Sequence, residues 1–529
     1  MEVTRNFSLL FLFLFNITSL AQVDTAWVRR YNGPGNGDDI PGGLLFSHPT
    51  YPLAVDDSGN VYVAGSTVGN GTSLDFTTIK YNSNGDTLWV RRYNGPANGD
   101  DEARALAVDN SGYVYVTGNC TGAAEEDYCT IKYAPNGDSV WVKFYNGAGN
   151  GRDVGRALAL DKNGNVCVTG SSIGTYFPDY NYVTIKYNPE GDTLWERPYY
   201  GPANDVEFVR DIGVDTGGNV YVTGLSVRND TTVDIATVKY APNGDGLWSR
   251  RYNGLGEGGS ADGISLAPDK EGNLYVTGWT WNGTSLDATI IKYASNGDTL
   301  WIRNYDGPAN SHDETGALAV DDSGNVYVAG SSLAFGTGYD YVTIKYAPTG
   351  DTLWVRRYHG GYGIDSAFAL GLDLNGNVYV AGRSDGSNFY PDYATVKYAP
   401  DGTQLWVKRY NGPANNFDRA TALAVDTSGN LYVTGTSVGS GTGYDFATIK
   451  YIQFICSAKP GDANGDDNIL LSDIVTLINF LFKSQPAPNP VCRGDATADG
   501  KVLLSDIVYL VNFLFKSGSA PLKNRECCL

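Results

Sequence analysis

Tryptophan falls at positions 27, 89, 141, 195, 248, 301, 354 and 406, so the gaps are 62, 52, 54, 53, 53, 53 and 52 residues. A fixed period near 53 residues constrains this chain more than any other feature, because each repeat must be one supersecondary unit stacked on its neighbours. Every unit carries four short apolar segments of the kind ALAVD, NVYVTG, DYATVKY and LWVRRY. Each alternates with the two-residue period of a strand. We name these strands A to D in that order. Between A and B lies a short turn whose glycine recurs in all eight units (Gly59, Gly112, Gly164, Gly218, Gly272, Gly324, Gly376, Gly429). Between C and D an Asn-Gly-Asp-like turn puts glycine at 85, 137, 191, 244, 297, 350 and 402. Glycines at fixed offsets between alternating segments are hairpin signals.

Four antiparallel strands repeated eight times predict an all-β, eight-bladed β-propeller over residues 22–451, strand A innermost. The phase of the repeat predicts how the ring closes. There are eight C strands and seven C–D turns. The last C strand, 445–451, has no D strand after it, and the first D strand, 26–31, has no C strand before it. Pairing the two shuts the ring and leaves no long strand edge open, with the eighth blade shared between 26–31 and 418–451. The units resemble the bacterial β-propeller repeat SBBP and are distantly similar to NHL-type blades. That resemblance implies architecture and says little about function.

Two cationic patterns run through the blades. Arg or Lys stands two residues after every repeated Trp (Arg29, Arg91, Lys143, Arg197, Arg250, Arg303, Arg356, Lys408), and Lys precedes the last Tyr of every C strand. Recurrence in all units favours packing of these stems on Trp and Tyr between blades over a single ligand site.

The D–A loops are acidic, with Asp38, Asp39, Asp100, Asp101, Asp153, Asp262, Asp313, Asp365 and Asp418. A ring of Asp on one face can hold a cation or sugar hydroxyls, or cap its own turns. We take Asp100, Asp101, Asp313 and Asp418 as ligand candidates, with Trp279 and Trp281 as stacking platforms. The B–C loops differ most between units, which is where specificity is written on a repeated scaffold. Tyr176, Phe177, Phe389 and Tyr390 belong to the same loops. No catalytic or zinc-binding motif stands out, and only three His are present, so no catalytic residue is assigned.

Residues 1–21 read as an export leader: Arg5, an apolar run from Leu9 to Phe15, then Ser19-Leu20-Ala21 as cleavage site. The alternative is an uncleaved anchor, although the run is short for a bilayer. An extracellular or cell-surface, bacterial protein is expected, with no other transmembrane segment. The net charge of -20 speaks against nucleic acid or anionic membranes as general partners.

After a linker at 452–460, residues 461–529 carry two copies of another pattern, GDANGDDNILLSDIVTLINFLFKS and GDATADGKVLLSDIVYLVNFLFKS, offset by 33. Oxygen ligands at loop positions 1, 3, 5, 7 and 12 suit Ca²⁺. The first copy offers Asp462, Asn464, Asp466, the Asn468 carbonyl and Asp473; the second offers Asp495, Thr497, Asp499, the Lys501 carbonyl and Asp506. Position 9 is Leu470 or Leu503, so water completes the shell there. Each loop is followed by an apolar helical face: Ile474, Leu477, Ile478 and Leu481, then Ile507, Leu510, Val511 and Leu514.

Two loop–helix units without an entering helix resemble a type I dockerin. The resemblance implies two Ca²⁺ ions, a cohesin domain on a partner protein or cell surface, and two docking orientations from near-identical halves. It places Leu471-Ser472 and Leu504-Ser505 at the contact, a more apolar pair than the two hydroxyl residues of many cellulosomal dockerins. Asp467 replaces the usual turn Gly.

Of the seven Cys, Cys120 and Cys129 flank one B–C loop and can pair, and Cys167 replaces a strand Tyr as a buried thiol. Cys456, Cys492, Cys527 and Cys528 surround the dockerin-like segment with open connectivity. Two functions stand: a secreted, non-catalytic binding scaffold of polysaccharide or surface glycan, or a polysaccharide-degrading hydrolase or lyase in a cellulosome-like complex.

Overall fold

Eight four-stranded antiparallel sheets follow one another along the chain, and each joins the segments read above as A, B, C and D. A computed structural model describes residues 22–42, 52–122, 125–174, 180–203, 205–229, 232–254, 258–361, 363–386, 390–454, 461–466, 468–483, 485–488, 491–497, 501–516 and 518–521. The segment expected to be an export leader, Asp467, Asp499, Tyr176, Phe177, Phe389, Cys456, Cys527 and Cys528 lie outside the described residues. The chain divides into a propeller unit, Thr25–Ile452, and a C-terminal unit from Gln453 onward.

Each A strand touches the A strand of the next blade, and Leu53–Val55 of blade 1 touches Asp418–Val425 of blade 8. The A strands therefore form the inner ring. In blade 1 strand A is split into Ile40–Pro41 and Leu53–Val55, both paired with Val61–Val68. The insertion behind the long 62-residue gap falls between these halves.

The ring closes as the phase requires: Gln22–Tyr31 pairs with Tyr444–Phe454 as the outer strand of blade 8. Both strands run longer than the sequence pattern indicated. Trp27, Tyr432 and Phe446 of blade 8 pack with Val61, Ile79 and Tyr81 of blade 1 in one buried cluster.

The recurring Trp, cation and glycine form one latch between blades. Trp89 Nε1 donates to the Pro135 carbonyl at 3.1 Å, and Arg91 Nε donates to the Gly137 carbonyl at 2.6 Å, both in the next blade's C–D turn. Lys80 Nζ reaches the same Pro135 carbonyl at 3.3 Å. Gly137 adopts φ +88°, and a Cβ there would lie 2.9 Å from the Trp89 ring. Arg29, Arg91, Arg250, Arg303 and Arg356 are thus structural, each also lying over its indole, at 5.8 Å for Arg91 and Trp89. Trp406 is the exception: its buried indole N–H finds no partner among the described residues. Its counterpart would be the eighth C–D turn, which the shared blade lacks.

In the C-terminal unit, α1 (Leu471–Lys483) and α2 (Leu504–Lys516) pack through Ile474, Leu477, Ile507 and Leu510. No helix among the described residues is long and apolar enough to cross a membrane.

Candidate functional site

The D–A and B–C loops share one face of the propeller, because the start of each A strand pairs with the end of B, and the end of B with the start of C. The acidic ring lies there, turned inward. Asp101 is buried; it accepts the Thr121 N–H at 2.8 Å and the Gly95 N–H, both from loop backbone. Asp313 and Asp418 are equally buried and accept the Gly307 and Gly412 N–H groups, each at 2.6 Å. Asp39, Asp153 and Asp365 hold equivalent loops. Burial pushes the carboxyls of Asp39, Asp101, Asp153 and Asp418 up to about 6. These carboxylates anchor turns and do not face solvent. Exposed Asp100 caps the Leu74 N–H at 3.2 Å.

Asp262 departs from the ring. Ala261 takes the ring position in blade 5, and Asp262 stands one residue further along strand A. It accepts from Arg210 Nη2 of blade 4 at 2.8 Å. Both line a cavity of about 340 Å³ at the axis, with Trp279, Glu314 and Phe368. Toward the other face the axis narrows to about 80 Å³ among Leu53, Leu318, Phe368, Leu370 and Leu423. The site is a funnel with an apolar floor.

Glu314 is exposed to the funnel's solvent. The surrounding protein pushes its carboxyl above the usual range, reinforced by Asp262 and opposed by His312. Of the two Trp platforms, the structure places Trp279 in this wall; Trp281 is partly buried two residues further along the same strand, Leu274–Trp281, and Tyr390 is exposed on its loop.

Arg210 was missed from sequence because it occupies a β-bulge, and Glu314 stands in register two residues before one, whereas Asp262 was among the D–A loop carboxylates already noted. Strand A carries one extra residue per blade: Arg104, Arg156, Arg210, Ile264, Gly316, Phe368 and Thr421 in blades 2 to 8. A bulged residue leaves the ladder and re-aims its side chain. In blades 4 to 8 these positions line the two axial cavities. Divergence at one register position within otherwise alike units was the available signal.

In the C-terminal unit, Asp462, Asp473, Asp495 and Asp506 are all buried. Asp473 accepts the Asn464 N–H at 3.1 Å and the Leu470 N–H at 2.7 Å; Asp506 does the same with Thr497 at 3.0 Å and Leu503 at 2.8 Å. Asp466 Oδ1 accepts the Asn468 N–H at 2.9 Å. Lys501 is exposed. Burial, with Asp462 and Asp466 nearby, raises the Asp473 carboxyl. Buried carboxylates at these loop positions are hard-oxygen groups of the kind a divalent cation takes. Arg493 donates to Asp462 in the first loop.

Leu471 and Leu504 are exposed at 58% and 56%, and Ser472 and Ser505 beside them are exposed too. Val475, Phe482, Val508 and Phe515 extend the same two apolar surfaces. Sequence reading assigned the core-facing stripe of each helix and the Leu-Ser pair at its start, but not Val475, Phe482, Val508 or Phe515. Cys120 and Cys129 form a disulfide between strands B and C of blade 2. Cys167 is a buried free thiol pushed by burial up to about 12.

The unit Thr25–Ile452 is an eight-bladed β-propeller, and SBBP repeats are found within it. The family described as "SBBP: Beta-propeller repeat" matches residues 88–123, 247–284 and 353–390, each span running from a D strand through the next A and B. Over 444 residues the chain is 24% identical to "Uncharacterized WD repeat-containing protein L264" of Acanthamoeba polyphaga mimivirus, covering 68% of this chain and 31% of that protein. It is 26% identical over 147 residues to "Regulatory protein FlaEY" of Caulobacter vibrioides, covering 25% of this chain and 15% of that protein. The chain therefore spans about a third or less of these relatives' length.

Among solved structures it is similar to a polysaccharide lyase described as PL25-Ulvanlyase (13% identity, 72% of this chain and 95% of that chain, TM-score 0.41). It is also similar to Penicillium chrysogenum alpha-L-arabinanase complexed with arabinobiose (13% identity, 55% and 91%, TM-score 0.36). Likenesses of this size bear on neither ligand nor reaction.

Proposed function

We propose that the chain is an exported bacterial binding protein. Its axial funnel takes a saccharide segment, and its C-terminal unit docks on a cohesin-like domain through two Ca²⁺-loaded loop–helix repeats. The observation that carries the saccharide reading is the funnel wall: Trp279 beside Arg210, Asp262 and Glu314 around one cavity. An indole face supports stacking of a sugar ring, and the charged groups supply fixed donors and acceptors for hydroxyls.

Docking is supported by the twofold repetition of buried acidic loops and exposed apolar faces. Ca²⁺ would be held by Asp462, Asn464, Asp466, the Asn468 carbonyl and Asp473, and by Asp495, Thr497, Asp499, the Lys501 carbonyl and Asp506. Leu471, Ser472, Leu504 and Ser505 would meet the partner. The Cys120–Cys129 disulfide supports an oxidising, extracellular setting.

Binding on a glycan array, followed by titration of the Trp279→Ala variant, tests the funnel. The expected result is at least about ten-fold weaker binding in the variant and no product from the bound glycan. Unchanged binding removes Trp279 from the site.

One observation favours a second reading, a polysaccharide hydrolase or lyase: a carboxyl held above its usual range is suited to general-acid work, and Glu314 in the funnel is one. Product formation abolished by Glu314→Gln would establish it; an inert wild type excludes it for the glycans tested.

A further inference from the structure

Arg104, Arg152, Arg156 and Arg210 lie at or just before the start of strand A in blades 2 to 4, and Arg210 lines the funnel. Arg104, Arg156 and Arg210 occupy the bulge of strand A in three successive blades. Arg152 precedes the strand Asp153–Leu160. Three of the four have carboxylate partners. Arg104 Nη2 lies 2.6 Å from Glu102 Oε2, Arg152 Nε 2.7 Å from Glu126 Oε2, and Arg210 Nη2 2.8 Å from Asp262 Oδ2. Arg156 has no carboxylate partner among the described residues, and its Nε is enclosed without a hydrogen-bond partner.

Phe208 packs against two of these arginines. The guanidinium of Arg156 lies 5.9 Å from its ring centroid and that of Arg210 lies 6.0 Å from it. Burial, then the like charges of Arg104 and Arg210, pull the proton affinity of Arg156 down to about 9. The Arg156 side chain is partly exposed, and of the four it alone has no ion-pair partner among the described residues. A cation packed among protein groups without a paired counter-ion is costly. The guanidinium groups of Arg104 and Arg210 are already paired with carboxylates, so Arg156 is the cation left to meet an anion.

We propose that Arg156 is the anion-binding point of the funnel, so that the saccharide taken there is acidic and presents a carboxylate or sulfate ester to its guanidinium. A guanidinium fork matches either group through two parallel N–H···O bonds. The proposal rests on the saccharide reading above and narrows its substrate class. The net charge of -20 repels an acidic polymer at long range, but that field is screened beyond about 8 Å at physiological salt, whereas the Arg156 contact is short-range.

The test uses the full chain at physiological salt with three probes: polygalacturonate for a carboxylate, chondroitin sulfate for a sulfate ester, and dextran as neutral control. Wild type is expected to bind at least one acidic polymer ten-fold or more tighter than dextran. Arg156→Gln is expected to lose that preference and to melt no lower than wild type, since it removes an unpaired charge. Arg156→Lys keeps the charge without the fork and is expected to keep part of the preference. A lower melting temperature for Arg156→Gln makes Arg156 a structural brace and overturns the proposal, as does an acidic preference that survives in that variant. Binding of dextran without acidic preference overturns the proposal and leaves the saccharide reading standing. No binding to these polymers or to any glycan on an array removes both.

Discussion

Arg30 and Asp445 stand 415 positions apart in sequence, yet Arg30 Nη2 lies 2.7 Å from Asp445 Oδ2. The pair crosses the seam of blade 8, where Arg30 also donates to the Ser437 carbonyl at 2.9 Å. Removing the guanidinium leaves a buried carboxylate without its ion partner. Arg30→Ala is expected to cost about 2–3 kcal/mol. Deleting residues 22–33 should abolish cooperative unfolding, because it exposes the whole edge of Tyr444–Phe454. Urea denaturation followed by Trp fluorescence measures both; a truncated chain that unfolds like the intact one rules out closure by the N-terminal strand.

The latch makes a second prediction. Gly137→Ala puts a Cβ at φ +88° and 2.9 Å from Trp89, so strain and clash add. A loss of about 2–3 kcal/mol is expected. Gly71→Ala, at φ +83° with open space around it, carries the backbone term alone, about 1 kcal/mol. Equal melting temperatures for the two variants would show that the glycine–indole contact contributes nothing.

Stability should depend on pH with a defined sign. Burial raises Asp39, Asp101, Asp153 and Asp418 to about 6, so the folded state binds more protons than the unfolded one between about pH 4 and 6. Their contribution is full below the unfolded value and is lost as pH rises through that window. The A–B turn carboxylates oppose this. At Asp56 burial pushes upward, but hydrogen bonds from Asn60, Tyr62 and Ser58 outweigh it, and Asp215 and Asp321 behave alike. What they contribute is lost as pH falls below about 4. Calorimetry from acid to neutral pH should place the highest melting temperature near about pH 5. A melting temperature that climbs steadily from pH 5 to 8 contradicts the assignment.

Titration of Ca²⁺ into the chelator-stripped chain is expected to show two binding events, with Asp473→Asn and Asp506→Asn each removing one. Because Arg493 donates to Asp462, Arg493→Ala should strengthen the first loop several-fold and leave the second unchanged. A calorimeter that registers no heat in wild type excludes the metal.

The two apolar helix faces are 33 residues apart and equivalent. Val475→Asp or Val508→Asp alone should leave capture of a cohesin domain within about ten-fold, while the double substitution should abolish it. Surface plasmon resonance distinguishes these cases; full loss from either single change would mean a single docking mode.

The blades were legible because each strand, turn glycine and latch recurs eight times, so position within the repeat exposed both the ring and its seam. The funnel was not legible in the same way. Arg156, Glu314 and Phe368 sit where the units disagree, and a bulge shifts Arg156 and Phe368 off the two-residue alternation by which strand faces are read. Asp101 and its equivalents misled for the opposite reason: their recurrence marked a ring on the loop face, but burial against loop backbone decides what that ring does. On α1, the stripe through Ile474 and Leu477 was clear, whereas Val475 and Phe482 become noticeable only once solvent is seen over them.

The shared eighth blade sets a timetable for synthesis. Seven blades can assemble in order as the polypeptide emerges, but Gln22–Tyr31 must wait, unpaired, until Tyr444–Phe454 has been made. The nascent ring stays open until Phe454 has been made, so whatever shields that waiting strand governs the yield of native protein.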